Sequence, residues 1–375
     1  MGVVRTLPSA PAKADRTFRV GIIGSTGKGD YGHGLDVVWK KIPRVAVMAV
    51  ADDNPSALEA AVKRTEARKG YVDYVQMLAV EKLEIVAVCP RWIDRHREML
   101  LQCAAQGCHV YMEKPFCRTL EEADEVVAAF ERKGLKLAIA HGNRYRPELG
   151  VVRRMLKEGT LGRILEVRAR GKEDRRGGGE DLWVLGTHVL DLMRAVLGEV
   201  ESCYATVTAQ GRPISRADVR EGNEGIGLLA GDAVDASYRF QNWVTGYFAS
   251  HRDQAGNPSR FTLRIFCSKG VIEFPSGGPV RVLNNPSWSS ARGAGKWLPL
   301  ASYANENELS ESTDLNASAV LDLLASIEQG RQPVSNIYDA RAATEMIVAA
   351  FESSRVKAPV RFPLMNRKNP LAMLD

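Results

Sequence analysis

Five short apolar runs, FRVGIIG, RVAVMAVA, LEIVAVC, HVYM and KLAIAH, punctuate the chain between Phe18 and His141. Each has the length of a strand and is apolar throughout, as suits a strand covered on both faces. The segments between them carry helical spacing. Leu35, Val38, Trp39 and Ile42 recur at i, i+3, i+4 and i+7, and Leu58, Ala61 and Val62 repeat that spacing behind Asn54 and Pro55, a cap and first-turn pair. Thr119 and Glu122 form a capping box for a helix that Gly134 ends. Parallel strands require crossovers, so this alternation predicts an α/β fold whose N-terminal domain is a doubly wound parallel Rossmann sheet, with ligands at the carboxyl ends of its strands.

That context gives meaning to VGIIGSTGKGDYGHGLDVVWKKI, Val20 to Ile42. Gly24 closes the first strand, and Thr26 stands where a second glycine would fall. Gly27, Gly29 and Gly32 supply the GxGxxG spacing three residues late, so a three-residue insertion is expected. With Ser25 and Thr26, the turn should present backbone N–H groups and the next helix N-terminus to a pyrophosphate. Asp52 lies twenty residues beyond Gly32, at the end of the second strand, where a carboxylate accepts from the adenosine ribose. Asp53 beside it adds a charge that would repel a 2′-phosphate, which favours NAD over NADP.

A chain of 375 residues exceeds one core, so two domains are expected. No window approaches 18 uninterrupted apolar residues, which argues against a membrane span. Residues 1–17 read as a loose arm without a secretory h-region. Cys89, Cys103, Cys108, Cys117, Cys203 and Cys267 show no CxxC pairing and read as buried thiols in a reducing, cytoplasmic compartment. The net charge of +6 comes with no groove-reading motif, so no nucleic-acid partner is expected. The densest basic cluster, Arg168, Arg170, Lys172, Arg175 and Arg176, reads as a solvated edge. Six scattered histidines without HxH or HxxxH spacing argue against a metal site.

After the third run comes CPRWIDRHREML, and after the fourth EKPFCRTLEEADE; further on stand RYRPELGVVRRMLKEGTLGRILEVRARG, LGTHVLDLM and GRQPVSNIYDARAATEMIVAAFESSR. Over most of residues 18–365 these resemble the glucose-fructose oxidoreductase / inositol dehydrogenase / MocA (Gfo/Idh/MocA) family. Glu113-Lys114-Pro115 matches its EKP motif, Cys89-Pro90 is similar to its Thr-Pro cofactor loop, and His96 matches a histidine there if two residues are inserted. GTHVLD carries the GxHxxD pattern with the family's catalytic histidine, His188. The resemblance implies an NAD(P)-dependent Rossmann domain (18–142), an α/β domain with an open, mostly antiparallel sheet (143–365) that often forms a subunit interface, and oxidation of a secondary alcohol of a sugar or cyclitol, or the reverse. A tail over 366–375, like the arm, is a candidate to embrace a partner in a dimer or tetramer.

The residue types suit that chemistry. Hydride removal from a carbinol carbon leaves a hydroxyl proton to be taken by a base that titrates near neutrality, as His188 does, while Lys114 would stabilise alkoxide charge and orient the nicotinamide ribose. Many relatives hold an Asp four residues before the histidine; here that residue is Val184, with Glu180 and Asp181 the nearest carboxylates behind Gly177-Gly178-Gly179. Asn143, Arg144 and Tyr145 follow the fifth run where relatives line the pocket, and Trp183 and Thr187 flank His188. Trp183 reads either as a stacking surface for a sugar ring or as core. Alternating runs at 164–170, 201–208, 235–240, 244–250, 261–267 and 271–274 are half-buried strands, and His251 and Arg252 read as fixing a sheet edge. The polar, glycine-rich stretch from Gly211 to Asp235 is a cap for the pocket or an arm to a neighbouring subunit. Two other functions stay open at this point: redox-neutral glycoside cleavage through a transient 3-keto sugar, and a non-catalytic NAD-binding sensor or assembly subunit.

Overall fold

The computed structural model describes residues 16–291, 295–309 and 314–375. Six parallel strands, β1 Phe18–Gly24, β2 Val45–Asp52, β3 Lys69–Tyr71, β4 Ile85–Val88, β5 His109–Met112 and β6 Leu137–Ile139, form the first sheet in the order β3-β2-β1-β4-β5-β6. Five of them fall on the five apolar runs. The sixth, β3, is a three-residue edge strand in which Tyr71 alone is buried, too short to leave an apolar signature. Helix Pro55–Thr65 begins where Asn54 accepts from the Ser56 amide at 3.1 Å. Thr119 likewise caps helix Leu120–Arg132, but the Glu122 carboxylate turns to the Arg118 amide, leaving the capping box half formed.

The helix expected over residues 35–42 does not form. Leu35, Val38, Trp39 and Ile42 are all buried, as their spacing requires, yet the backbone makes turns and one short 3-10 helix, Val38–Lys41. The Trp39 indole N–H donates to the Leu35 carbonyl at 2.9 Å, taking the acceptor that an α-helical ladder would use. Left-handed Gly32 and Gly34 just before it further loosen the entry.

The second sheet holds ten strands and is mixed, with Ile164–Arg170 and Thr245–His251 parallel and the other pairs antiparallel. All six expected strands are present within a few residues. Helix Leu315–Gln329 departs from the expected division, because Ala319, Val320, Leu323 and Leu324 pack into the first domain's core beside Phe18 and Trp39. Helix Ile337–Val356 spans both domains: Ile337 and Ala340 join the first core, and Met346 to Phe351 the second. The tail also folds onto its own chain, with Leu371 buried and Arg367 bonded to Asp124 at 2.8 Å. Nearly all of the arm lies outside the described residues. Among those described, no helix is long and apolar enough to cross a membrane, and all six cysteines are buried and free.

Candidate active site

Just past β5, Lys114 is buried at 5% exposure, and its Nζ donates to the Val184 carbonyl at 2.9 Å. Leu182–Gly186 forms one π-helical turn running into helix Thr187–Leu197. The extra residue in such a turn displaces a carbonyl from the regular ladder and frees it for another donor. His188 follows four residues later, half-buried, so that ammonium and imidazole from different domains share one turn of backbone. The His188 ring meets His141 edge-on at 5.8 Å and makes no hydrogen bond to the described residues. Burial first, then the Lys114 charge and the rings of His141 and His33, hold the imidazole well below its ordinary range, so it is neutral at neutral pH. Burial likewise lowers the Lys114 ammonium, against the opposing charges of Glu113 and Glu224.

His141, which ends the fifth apolar run, was not among the expected site residues. Its Nε2 lies 3.0 Å from Thr187 Oγ1, and its buried Nδ1 lies 3.6 Å from Asp191 without a hydrogen bond. Asp191, the acid of GTHVLD, accepts from Arg144 Nε at 2.8 and 2.9 Å, and Arg144 reaches Asp339 at 2.9 Å. Thr187 is thus bonded to His141, and Arg144 to the acids Asp191 and Asp339. The Tyr145 hydroxyl is engaged with Asp322 and the Ser335 amide. Within this run, Asn143 has a side chain with no hydrogen bond to the described residues. Neither Glu180 nor Asp181 bonds His188: Glu180 takes the Asn223 amide at 3.0 and 3.1 Å, and Asp181 takes Ser250 Oγ at 2.6 Å and the Glu173 amide at 3.1 Å. Trp183 is core, 2% exposed, with its indole nitrogen unpartnered. Along the basic cluster, Arg168, Arg170, Lys172 and Arg176 all sit in ion pairs. At the neighbouring sheet edge, His251 faces Asp235 at 3.4 Å, and the Arg252 guanidinium reaches the Gly231 carbonyl at 3.5 Å.

On the cofactor side, the insertion is a hairpin. Ser25 and Asp30 exchange backbone bonds at 3.0 Å, and Gly27 N–H donates to the Asp30 carboxylate at 3.0 Å. The amides of Gly29, Tyr31 and Gly34 make no hydrogen bond to the described residues. Gly29, with φ +89°, lies so close to the loop after β4 that a Cβ would stand 2.3 Å from the Arg91 amide. Gly32 lies against the Cys89 carbonyl and Glu113 in the same way. Asp52 is fully buried and takes four donors: Thr26 N at 3.1 Å, Thr26 Oγ1 at 2.6 Å, Tyr31 Oη at 2.7 Å and Asn54 N at 2.9 Å. It therefore organises the loop, while Asp53, at 38% side-chain exposure, accepts from Ser25 Oγ at 2.8 Å and faces the Arg95 guanidinium at 3.5 Å. His96 is also structural, its ring nitrogens 2.8 and 2.7 Å from the Pro90 and Pro115 carbonyls. Glu113 accepts from the His33 amide at 3.1 Å and the Lys114 amide at 2.7 Å.

The residues fit a dinucleotide at two points. Arg91 Nε is buried without a hydrogen-bond partner, its guanidinium 3.9 Å from Asp30, and the amides of Gly29, Tyr31 and Gly34 would be donors for phosphates where the fold usually supplies a helix N-terminus. Among the described residues no group of three or more His, Cys, Asp or Glu could hold a metal ion.

Residues 18–141 match the family model described as "Oxidoreductase family, NAD-binding Rossmann fold", and residues 151–273 match the GFO/IDH/MocA C-terminal domain. The chain belongs to the Gfo/Idh/MocA family. It is 29% identical to a D-apiose dehydrogenase of Paraburkholderia graminis over 48% of this chain and 51% of that one. It is 24% identical to a levoglucosan dehydrogenase of Pseudarthrobacter phenanthrenivorans over 60% and 64%, and 28% identical to an NADP(+)-dependent scyllo-inositol 2-dehydrogenase of Bacillus subtilis over 55% and 58%. The chain thus spans between about half and two thirds of the curated relatives it matches. Levoglucosan dehydrogenase solved with NADH and L-sorbose shares the Gfo/Idh/MocA fold with it at a TM-score of 0.75 and 19% identity, over 93% of this chain and 100% of that one.

Proposed function

We propose that this Gfo/Idh/MocA protein is an NAD-dependent dehydrogenase that oxidises a secondary hydroxyl of a sugar, glycoside or cyclitol, or reduces the ketone. The observation that carries the reading is the Lys114 ammonium held on the Val184 carbonyl one turn before a neutral, uncommitted His188. A bound nicotinamide would accept the hydride. Neutral His188 takes the hydroxyl proton, and Lys114 donates to the same oxygen and stabilises its negative charge in a site shielded from water. His141, bonded to Thr187 and facing Asp191, meets the His188 ring edge-on. Gly24 to Gly32, Asp53, Arg91, Pro90 and Glu113 would hold the cofactor, and Asn143 would meet the substrate. The adjacent Asp52 and Asp53 carboxylates at the end of β2 support NAD over NADP.

Two further assignments belong to this reading. The six buried free cysteines support a reducing, cytoplasmic setting. The open face of the second sheet supports a homo-oligomer, since the register aligns Tyr204, Ser237, Tyr247, Arg168 and Arg264 in one row, and tyrosine and arginine are enriched in interfaces. The activity is tested by incubating the protein with NAD and a panel of sugars, glycosides and inositols while following nicotinamide absorbance and chromatographing products. Substrate-dependent NADH formation that Lys114→Ala and His188→Ala abolish is the expected result. Turnover equal in both variants overturns it, and an aglycone released without NADH identifies the redox-neutral route.

A further inference from the structure

We propose that Glu224 is the substrate-binding carboxylate of the pocket, accepting hydrogen bonds from hydroxyls of a neutral polyol bound beside Lys114. The proposal deepens the dehydrogenase reading and rests on it for the substrate class. Around Lys114 the other acids are engaged within the protein: Glu113 on His33 and its own neighbour's amide, Glu180 on Asn223, Asp191 on Arg144, and Asp181 through Oδ2 on Ser250 and Glu173, its fully buried Oδ1 alone lacking a partner. Glu224 is half-buried and makes no hydrogen bond or ion pair with the described residues.

Its placement is built rather than incidental. The turn Asn223–Gly225 in the stretch from Gly211 to Asp235 is pinned on both sides of the domain seam. The Asn223 amide grips Glu180, and Gly225, with φ +67°, packs so tightly on Asp94 of the first domain that a Cβ would stand 2.8 Å from its side chain. Gly222 N–H closes the loop on the Gly227 carbonyl at 2.7 Å, and Ile226 is 2% exposed. Between these anchors Glu224 itself is left-handed, with φ +54°, a conformation uncommon for a residue with a side chain and kept only where surroundings over-determine it. The turn therefore sits at the domain seam of its own chain. The Glu224 charge acts on Lys114 and on Arg176, which Asp174 holds at 2.9 Å. A carboxylate with no partner among the described residues can take two adjacent hydroxyls, and its charge would turn away an anionic sugar acid.

The groups that set the Lys114 charge are Glu113 beside it, Glu224 and Arg176 from the second domain, Arg91 from the loop after β4, and the rings of His188 and His141. Glu224→Gln removes one that stabilises the ammonium. Lys114 in the full-length protein is titrated by competitive acetylation with acetic anhydride, read by mass spectrometry, in wild type, Glu224→Gln and the exposed same-loop control Glu221→Gln. The expected result is a labelling midpoint at lower pH in Glu224→Gln alone, with KM for the best neutral polyol raised about tenfold or more, kcat less affected, and partial recovery in Glu224→Asp. A midpoint equal to wild type overturns the placement, and a moved midpoint with unchanged KM overturns the substrate role. A moved midpoint in a protein that turns over no polyol sinks the dehydrogenase reading while keeping Glu224 against Lys114.

Discussion

Lys114 and His188 cannot both be charged cheaply, and that single coupling dictates how activity depends on pH. His188 works only when neutral, which holds above its depressed pKa, so the acid limb of kcat/KM lies below the usual imidazole value of 6.5. Lys114 works only when protonated, which holds below its own lowered pKa, so the alkaline limb lies below 10.5. A pH–rate profile checks both limbs, and in Lys114→Met an NMR titration should find the His188 midpoint raised, because a nearby cation is gone. Asp52 makes a prediction about stability instead. Burial alone would raise its pKa, but the donors from Thr26, Tyr31 and Asn54 outweigh burial and lower it. Its contribution is therefore present above the unfolded carboxylate range and lost as pH falls through the folded value. Asp52→Ala should cost roughly 2–4 kcal/mol at neutral pH by urea denaturation, with the difference from wild type shrinking below about pH 4.

At the scale of elements, the glycine hairpin and the π-turn are two local departures from regular structure that lie at the proposed site. Gly29→Ala tests the first. A left-handed alanine whose Cβ would stand 2.3 Å from the Arg91 amide must push the two loops apart. We expect a loss of about 1–3 kcal/mol in thermal unfolding and a weaker NADH affinity by fluorescence titration. The i, i+3, i+4, i+7 pattern at Leu35–Ile42 shows how a sequence signal can be right about burial and wrong about backbone. The four side chains are inside, while the Trp39 indole takes the carbonyl a helix would need.

Across the whole molecule, helix Ile337–Val356 joins the two cores, and the buried Asp191–Arg144–Asp339 chain ties the histidine helix to it. The domains are therefore braced beside the site. The outward row of Tyr204, Tyr247, Arg168 and Arg264 stands on the far side of that brace. If copies pair there, light scattering after size exclusion will give a dimer or tetramer for wild type and a smaller species for Tyr247→Glu with unchanged circular dichroism.

Apolar runs bounded by turns determined five of the six strands of the first sheet, because burial on both faces writes itself into consecutive residues. EKP and GTHVLD marked Lys114 and His188 through their resemblance to the family's motifs, which are legible because each is local to one strand end and one helix start. What tertiary structure alone decided is how polar groups are spent. Asp52 and Asp53 are adjacent and chemically identical, and only the arrival of Tyr31 and Thr26 buries one, while the other stays partly exposed beside Ser25 and Arg95. Val184 offers nothing in its side chain, yet its carbonyl holds Lys114, and Glu224 is one acid among many until the fold places it over the seam. Hydrogen-bond partners come from residues remote in the chain, so their pairing exists only once the chain has closed.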